Sequence, residues 1–252
     1  MADRKDYRNI LDSLIEEWDL LLALCSKFFE NEGMVSKKDA ESRGIESGFE
    51  GLDLETKGFH NAELVYMGAS LARKTDFGLA MVANMLKYSK TRVGYFSFEM
   101  HKETLINILS SIIVKDELGW ADFTYKENMP LYFIDNPDMN STDFWNSAHK
   151  LWIQERINIL FIDCFELVPL EIFFLKKLAV ELDIPVIVLA KTTRYLKDRE
   201  PEIKDLSVCS DVIEQNADLI MFLHHSDVLI IKNKNGYEGV VKDVRFKRRR
   251  NG

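Results

Sequence analysis

Along most of the chain, short apolar runs alternate with longer segments in which apolar positions recur every three or four residues. The first pattern marks strands buried on both faces, and the second marks helices with one buried face. The runs predict strands over 63–67, 93–98, 131–134, 159–163, 186–190 and 219–223. Between them the periodicity predicts helices over 75–88, 102–115, 141–156 and 170–182. Ser141 or Thr142, with Asp143 downstream, supplies a start for the third of these. Near the end, 228–232 and 239–245 flank Asn233-Lys234-Asn235-Gly236, where the Asn-Gly pair predicts a hairpin. Strands separated by helices read as an α/β fold, with a mostly parallel sheet covered on both faces and a C-terminal β-hairpin.

Ahead of this alternation, residues 6–31 form an amphipathic pattern: Ile10, Leu11, Leu14, Ile15, Trp18, Leu21, Leu22, Cys25 and Phe28 fall on one helical face. A polar stretch without periodicity follows. The predicted organisation is an N-terminal helix over 1–33, a linker over 34–46, an α/β domain over 47–246 and a basic tail over 247–252. Two uses of the helix are open: packing on its own domain, or docking on a neighbouring subunit across the linker.

Composition narrows the class. With 252 residues, 46% of them hydrophobic, and 16 Phe, the chain can bury a sizeable core and is not a disordered protein. No run reaches membrane-span length, and MADRKDYRNI lacks the apolar stretch of a secretory leader. Cys25, Cys164 and Cys209 are too few and too scattered for a disulfide framework or a zinc site, which points to a reducing, cytoplasmic setting. A net charge of −8 argues against indiscriminate nucleic-acid binding. The exception is Lys242 to Arg250, with six basic residues against Asp243, either a solvated tail or a phosphate-contacting one. His60, His101, His149, His224 and His225 make no ligand spacing; they read as surface or hydrogen-bonded residues, with His224 and His225 on opposite faces of a strand.

The candidate chemistry centres on Gly68-Ala69-Ser70-Leu71-Ala72-Arg73-Lys74-Thr75-Asp76, set between a predicted strand and a predicted helix. A phosphate-gripping loop needs this order: backbone N–H groups and a helix N-terminus face the anion, Lys74 reaches the outer phosphates, and Thr75 holds Mg²⁺. The pattern G-x-x-x-x-G-K-[ST] is met at Gly68 and Lys74-Thr75, but Arg73 replaces the second glycine, where a side chain would crowd the cradle. Asp163 ends an apolar strand and would face that loop from the carboxyl edge of a parallel sheet, ordering Mg²⁺. Glu99 ends another strand and could polarise an attacking water, or simply open the next turn.

From about Ser47 to Phe246 the chain resembles the C-terminal, RecA-like motor domain of DnaB-type replicative helicases. The resemblance rests on six stretches in family order. They are Ser47-Gly48-Phe49-Glu50-Gly51-Leu52-Asp53 with Thr56-Lys57-Gly58-Phe59, then Phe96-Ser97-Phe98-Glu99-Met100, then Phe161-Ile162-Asp163. Residues 178–187, residues 213–222 and Lys232-Asn233-Lys234-Asn235-Gly236 with Gly239 complete the set. It implies a P-loop NTPase that uses ATP and Mg²⁺, moves on single-stranded DNA, and self-associates into a ring, a hexamer being one size. By the same resemblance Glu99 is the catalytic base, and Thr75 and Asp163 stand at the metal. Lys232 and Lys234 reach into the next subunit's site, with Lys234 where the family carries an Arg finger. A lysine there keeps the charge but loses the planar bidentate grip. Glu166 and Lys191 replace family glutamines, Ser207 and Val208 replace an Arg-Glu pair of the central-channel loop, and the loop after Asp163 looks shortened. By the same resemblance, the predicted helix is expected to stand where the family carries a separate N-terminal helical domain. These departures leave a second expectation open, a catalytically degenerate relative serving as a nucleotide-binding or assembly module.

Overall fold

The computed structural model of the chain describes residues 44–69, 71–115, 129–163, 169–192, 199–206 and 210–242. The predicted N-terminal helix, nearly all of the linker and the basic tail lie outside the described residues, as do Ser70, Glu166, Ser207 and Val208.

The described elements run α1 (Glu50–Thr56), β1 (Leu64–Ala69), α2 (Leu71–Tyr88), β2 (Val93–Ser97), α3 (Lys102–Lys115), β3 (Leu131–Asp135), α4 (Ser141–Lys150), β4 (Ile159–Asp163), α5 (Pro169–Leu182), β5 (Val186–Lys191), α6 (Ser210–Asn216), β6 (Leu219–His224), β7 (Asp227–Asn233) and β8 (Gly239–Val241). Eight strands form one sheet in the order β3-β2-β4-β5-β1-β6-β7-β8. The first six in that order are parallel, and β7 and β8 complete an antiparallel meander from β6. The mostly parallel α/β sheet with its C-terminal hairpin is therefore present.

Every residue of β1, β2 and β4 is buried, as their unbroken apolar runs require when helices cover both faces. On one face Val65, Met67, Tyr95, Phe161, Ile187 and Leu189 join Leu79 and Ala83 of α2 and Leu105 and Leu109 of α3 in a single cluster. On the other, Phe96 meets Phe144 of α4 edge-on at 4.8 Å. Among the described residues no helix is long and apolar enough to cross a membrane.

Three local expectations change, while the hydrogen-bonded placement expected of His149 holds. Asn140, in an extended conformation (φ −79°, ψ 168°), caps α4 by accepting the Asp143 N–H, so Ser141 and Thr142 lie inside the first turn. The helix expected over 141–156 loosens into a π-turn at Leu151–Glu155 and is stopped by Arg156 at φ 54°. His225 leaves β6 at φ 53°, and its ring lies against that of His224 with centroids 4.2 Å apart; the two are not on opposite strand faces. His149 is buried, with Nδ1 2.9 Å from the Trp145 carbonyl oxygen and Nε2 3.0 Å from Glu181 Oε1, which ties α4 to α5.

Candidate functional site

Parallel strands bring their carboxyl ends to one edge, and register decides which residues share it. Ser97 of β2, Asp163 of β4, Leu189 of β5 and Met67 of β1 form one row across the sheet. Beyond this row the chain crosses from β1 into α2, whose opening turns carry Lys74 and Thr75 back over the edge. The start of α2 is steadied by Phe77, whose ring stacks on Phe49 at 4.8 Å. Phe49 is held by a turn in which Asp53 accepts the backbone N–H of Ser47 and of Gly48.

Lys74 Nζ lies 2.6 Å from Asp163 Oδ1 and 3.1 Å from Glu99 Oε2. Thr75 Oγ1 donates to Asp163 Oδ2 at 2.8 Å, and the phenol of Tyr95 donates to the same oxygen at 2.9 Å. Lys74 and Asp163 are sealed from solvent, with side-chain exposures of 0% and 1%, while Glu99 keeps 35%. A buried ammonium of this kind persists because carboxylates surround it. Glu99, at the mouth, is the member of the set that bulk water can reach. It is placed there by Ser97, whose hydroxyl donates to the Met100 carbonyl (2.7 Å) and accepts the Met100 N–H (3.1 Å), folding the chain after β2 into a tight turn. Burial, and then the charge of Asp163, hold the Tyr95 phenol well above its ordinary range, so it remains a donor.

The strand-to-helix junction differs from the expected loop. β1 continues through Gly68 to Ala69 and α2 begins at Leu71, not at Thr75, so Ser70 alone separates them. Leu71, Ala72, Arg73 and Lys74 are strong helix formers, and with no glycine at position 73 nothing in the sequence resists extending the helix toward the strand. Gly68 itself serves packing: a Cβ there would come within 2.5 Å of the Phe222 ring and 2.7 Å of Leu206. Arg73 is exposed, turned away from Lys74, and donates to the carbonyl of His225.

Hard oxygen donors from Thr75 and Asp163 beside a buried lysine fit a divalent cation held together with the outer phosphates of a nucleotide. Among the described residues, no glycine stands directly before Lys74 to line the cradle of the written motif. In its place stands the first turn of an 18-residue helix, whose leading N–H groups have no intrahelical partner.

Lys232 and Lys234 are not brought to this set. Lys234 donates from its backbone to the Asp218 carbonyl (2.9 Å) and from Nζ to Asp218 Oδ1 (3.3 Å). The backbone N–H of Asp218 donates in turn to the carbonyl of Leu64, the first residue of β1, so Lys234 sits at the opposite end of the sheet from Asp163. Lys232 Nζ donates to the carbonyl of Glu214. Lys191 is exposed at the end of β5, paired in register with Ala69.

Over residues 44–252 the sequence matches the DnaB-like helicase C terminal domain family. The chain belongs to that family. Replicative DNA helicase DnaB of Treponema pallidum is 31% identical over 234 residues, covering 79% of this chain and 53% of the relative. The DnaB of Geobacillus stearothermophilus is 27% identical over 282 residues, covering 94% of this chain and 60% of the relative. The chain thus spans little more than half the length of these DnaB relatives. Among solved structures, an isolated ATPase domain superposes with a TM-score of 0.62 at 24% identity, covering 90% of this chain and 95% of that one. A DnaB-like replicative helicase, described with its interactions with primase, superposes with a TM-score of 0.64 at 22% identity, over 94% and 72% of the two chains. The shared architecture is the RecA-like ATPase fold of DnaB-like helicases.

Lys74, Thr75, Glu99 and Asp163, singled out in the sequence, lie together here, joined by Tyr95 and Ser97, which were not singled out. A signal existed for Tyr95: inside an apolar strand a phenol needs a hydrogen-bond partner, and it lies two residues from Ser97 on the face that Asp163 shares.

Proposed function

We propose that this chain is an ATP-driven, DnaB-like motor domain that works as a ring on single-stranded DNA in the cytoplasm. The convergence of Lys74, Thr75, Glu99 and Asp163 at one sheet edge carries the reading. A bound Mg²⁺–nucleotide would supply the phosphoryl group and a cation to neutralise its charge. Lys74 would shift from the carboxylates to the outer phosphates, Thr75 and Asp163 would hold the cation, and Glu99 would take the proton of an attacking water. Lys232 and Lys234, far from their own chain's Lys74, would complete the site of the adjacent subunit. The relatives named as replicative DNA helicases support DNA as the track.

One observation favours a second reading, a degenerate relative that keeps the fold as a nucleotide-binding or assembly module. The single-residue junction between β1 and α2 offers phosphate a helix N-terminus in place of a wrapped loop.

Mg²⁺-dependent ATP hydrolysis by the purified chain, with and without single-stranded DNA, separates the two. The motor reading expects turnover that Lys74→Ala and Glu99→Gln abolish. Wild type indistinguishable from Lys74→Ala would sink it.

A further inference from the structure

The Asp163 carboxylate has about four lone-pair positions. Lys74 takes one on Oδ1, and Thr75 and Tyr95 take two on Oδ2. A carboxylate can only accept, so the hydroxyl hydrogens of both Thr75 and Tyr95 must point at Oδ2, which leaves the oxygen lone pairs of Thr75, not its hydrogen, available to a cation.

Tyr95 is fixed where it is. The residue is fully buried, its ring stacked on Phe161 (5.9 Å, 12°) and edge-on to Phe133 (5.4 Å, 62°). The phenol cannot swing aside without breaking that aromatic packing, so it pins the plane of the Asp163 carboxylate.

We propose that Tyr95 is a positioning residue of the divalent-cation subsite, acting through Asp163 and Thr75. This rests on the proposed nucleotide site. Without the hydroxyl, the carboxylate keeps only Lys74 and Thr75, and Lys74 is the partner that a bound nucleotide would draw away, so the plane of the carboxylate, and with it the Thr75 hydroxyl, is held less tightly. Partners of this outer kind are worth about 10- to 100-fold in metal affinity where they orient a ligating group.

The test is binding of a fluorescent ATP analogue by the full chain, once in EDTA and once across a Mg²⁺ titration. Tyr95→Phe should require about 10-fold more Mg²⁺ for half-maximal enhancement, with affinity in EDTA unchanged. Tyr95→Leu, a second variant without the hydroxyl, should shift the midpoint in the same direction, with melting curves confirming folded protein. A Mg²⁺ midpoint equal to that of wild type overturns the role of Tyr95 alone. An equal loss in EDTA and in Mg²⁺ also overturns it, marking general damage to the fold. A wild type that binds no nucleotide at any Mg²⁺ concentration overturns the nucleotide site, and the cation role of Tyr95 with it.

Discussion

Lys74 and Asp163 stand 89 positions apart in sequence and 2.6 Å apart in space, and neither reaches solvent. The pair exists because β1 and β4 end on the same edge of a parallel sheet, separated by β5 alone. The two residues do not depend on each other equally. Asp163 keeps the Thr75 and Tyr95 hydroxyls if the ammonium is lost, whereas Lys74 without Asp163 is left in a buried position facing Glu99.

Asp163→Asn should therefore destabilise the chain by about 1.5–3 kcal/mol, the worth of a hydrogen bond to a charged group, since Lys74 keeps Glu99 but loses its shorter contact. Lys74→Met, which replaces the charge with an apolar chain of similar length, should cost clearly less. Urea unfolding of both variants checks the order, and the reverse order would contradict the described pairing.

Gly68 is held small by its neighbours. Gly68→Ala would press a methyl group against the Phe222 ring and Leu206, and overpacking of this sort costs about 1–3 kcal/mol. The loss should be the same with and without Mg²⁺-ATP, since the clash lies in the sheet packing. A loss seen only when nucleotide is present would return Gly68 to the phosphate loop.

Arg73 separates side chain from backbone. Its side chain points away from Lys74, so Arg73→Ala, which preserves helix propensity, should leave nucleotide affinity near that of wild type. Arg73→Gly weakens the first turn of α2 by about 1 kcal/mol and should raise affinity by letting the junction open. Calorimetric titration with Mg²⁺-ATP distinguishes them. Equal gains from both variants would place the obstruction in the side chain.

Acid should loosen the segment after β5. Arg199 pairs with both oxygens of Asp205 at 2.8 and 2.7 Å, and this hydrogen bonding holds the carboxyl below its ordinary 3.8 although burial pushes the other way. A group whose folded-state pKa is depressed stabilises the fold above its unfolded value, and the contribution disappears as pH falls through the folded one. The stability gap between wild type and Asp205→Asn should accordingly be largest near neutrality and shrink from about pH 5 downward. Melting temperatures across that range measure it, and a gap that widens in acid would contradict the sign.

Lys234 lies at the far end of the sheet from Lys74. If it serves a neighbour, chains carrying Lys74→Ala and chains carrying Lys234→Ala should each be inactive alone and recover ATPase activity when mixed. No recovery, in a mixture that light scattering shows to be assembled, would count against service in trans.

Much of the fold was legible because burial leaves a local trace. The apolar runs matched β1 to β6, and the Asn-Gly pair marked the turn between β7 and β8. Glu99 and Asp163 could be picked out because each follows or ends an apolar strand, and Lys74-Thr75 because the pair follows a strand and a glycine at the motif's spacing. Short helices such as α1 and α6 escaped, since seven residues span too few turns to show a period. The cap at Asn140 escaped because three adjacent residues can all cap, and only the backbone path chose among them.

Local pattern specifies which segments become strands and helices, and that a lysine, a threonine and two carboxylates end near one sheet edge. Hydrophobic period and residue type are enough for that. That β1 runs on to Ala69, that Arg73 turns outward, and that Tyr95 reaches Asp163 became visible in the folded chain alone. Those outcomes depend on what packs against Gly68 and on the register that sets Tyr95 beside Phe161, contacts between residues far apart in the chain that no local pattern encodes.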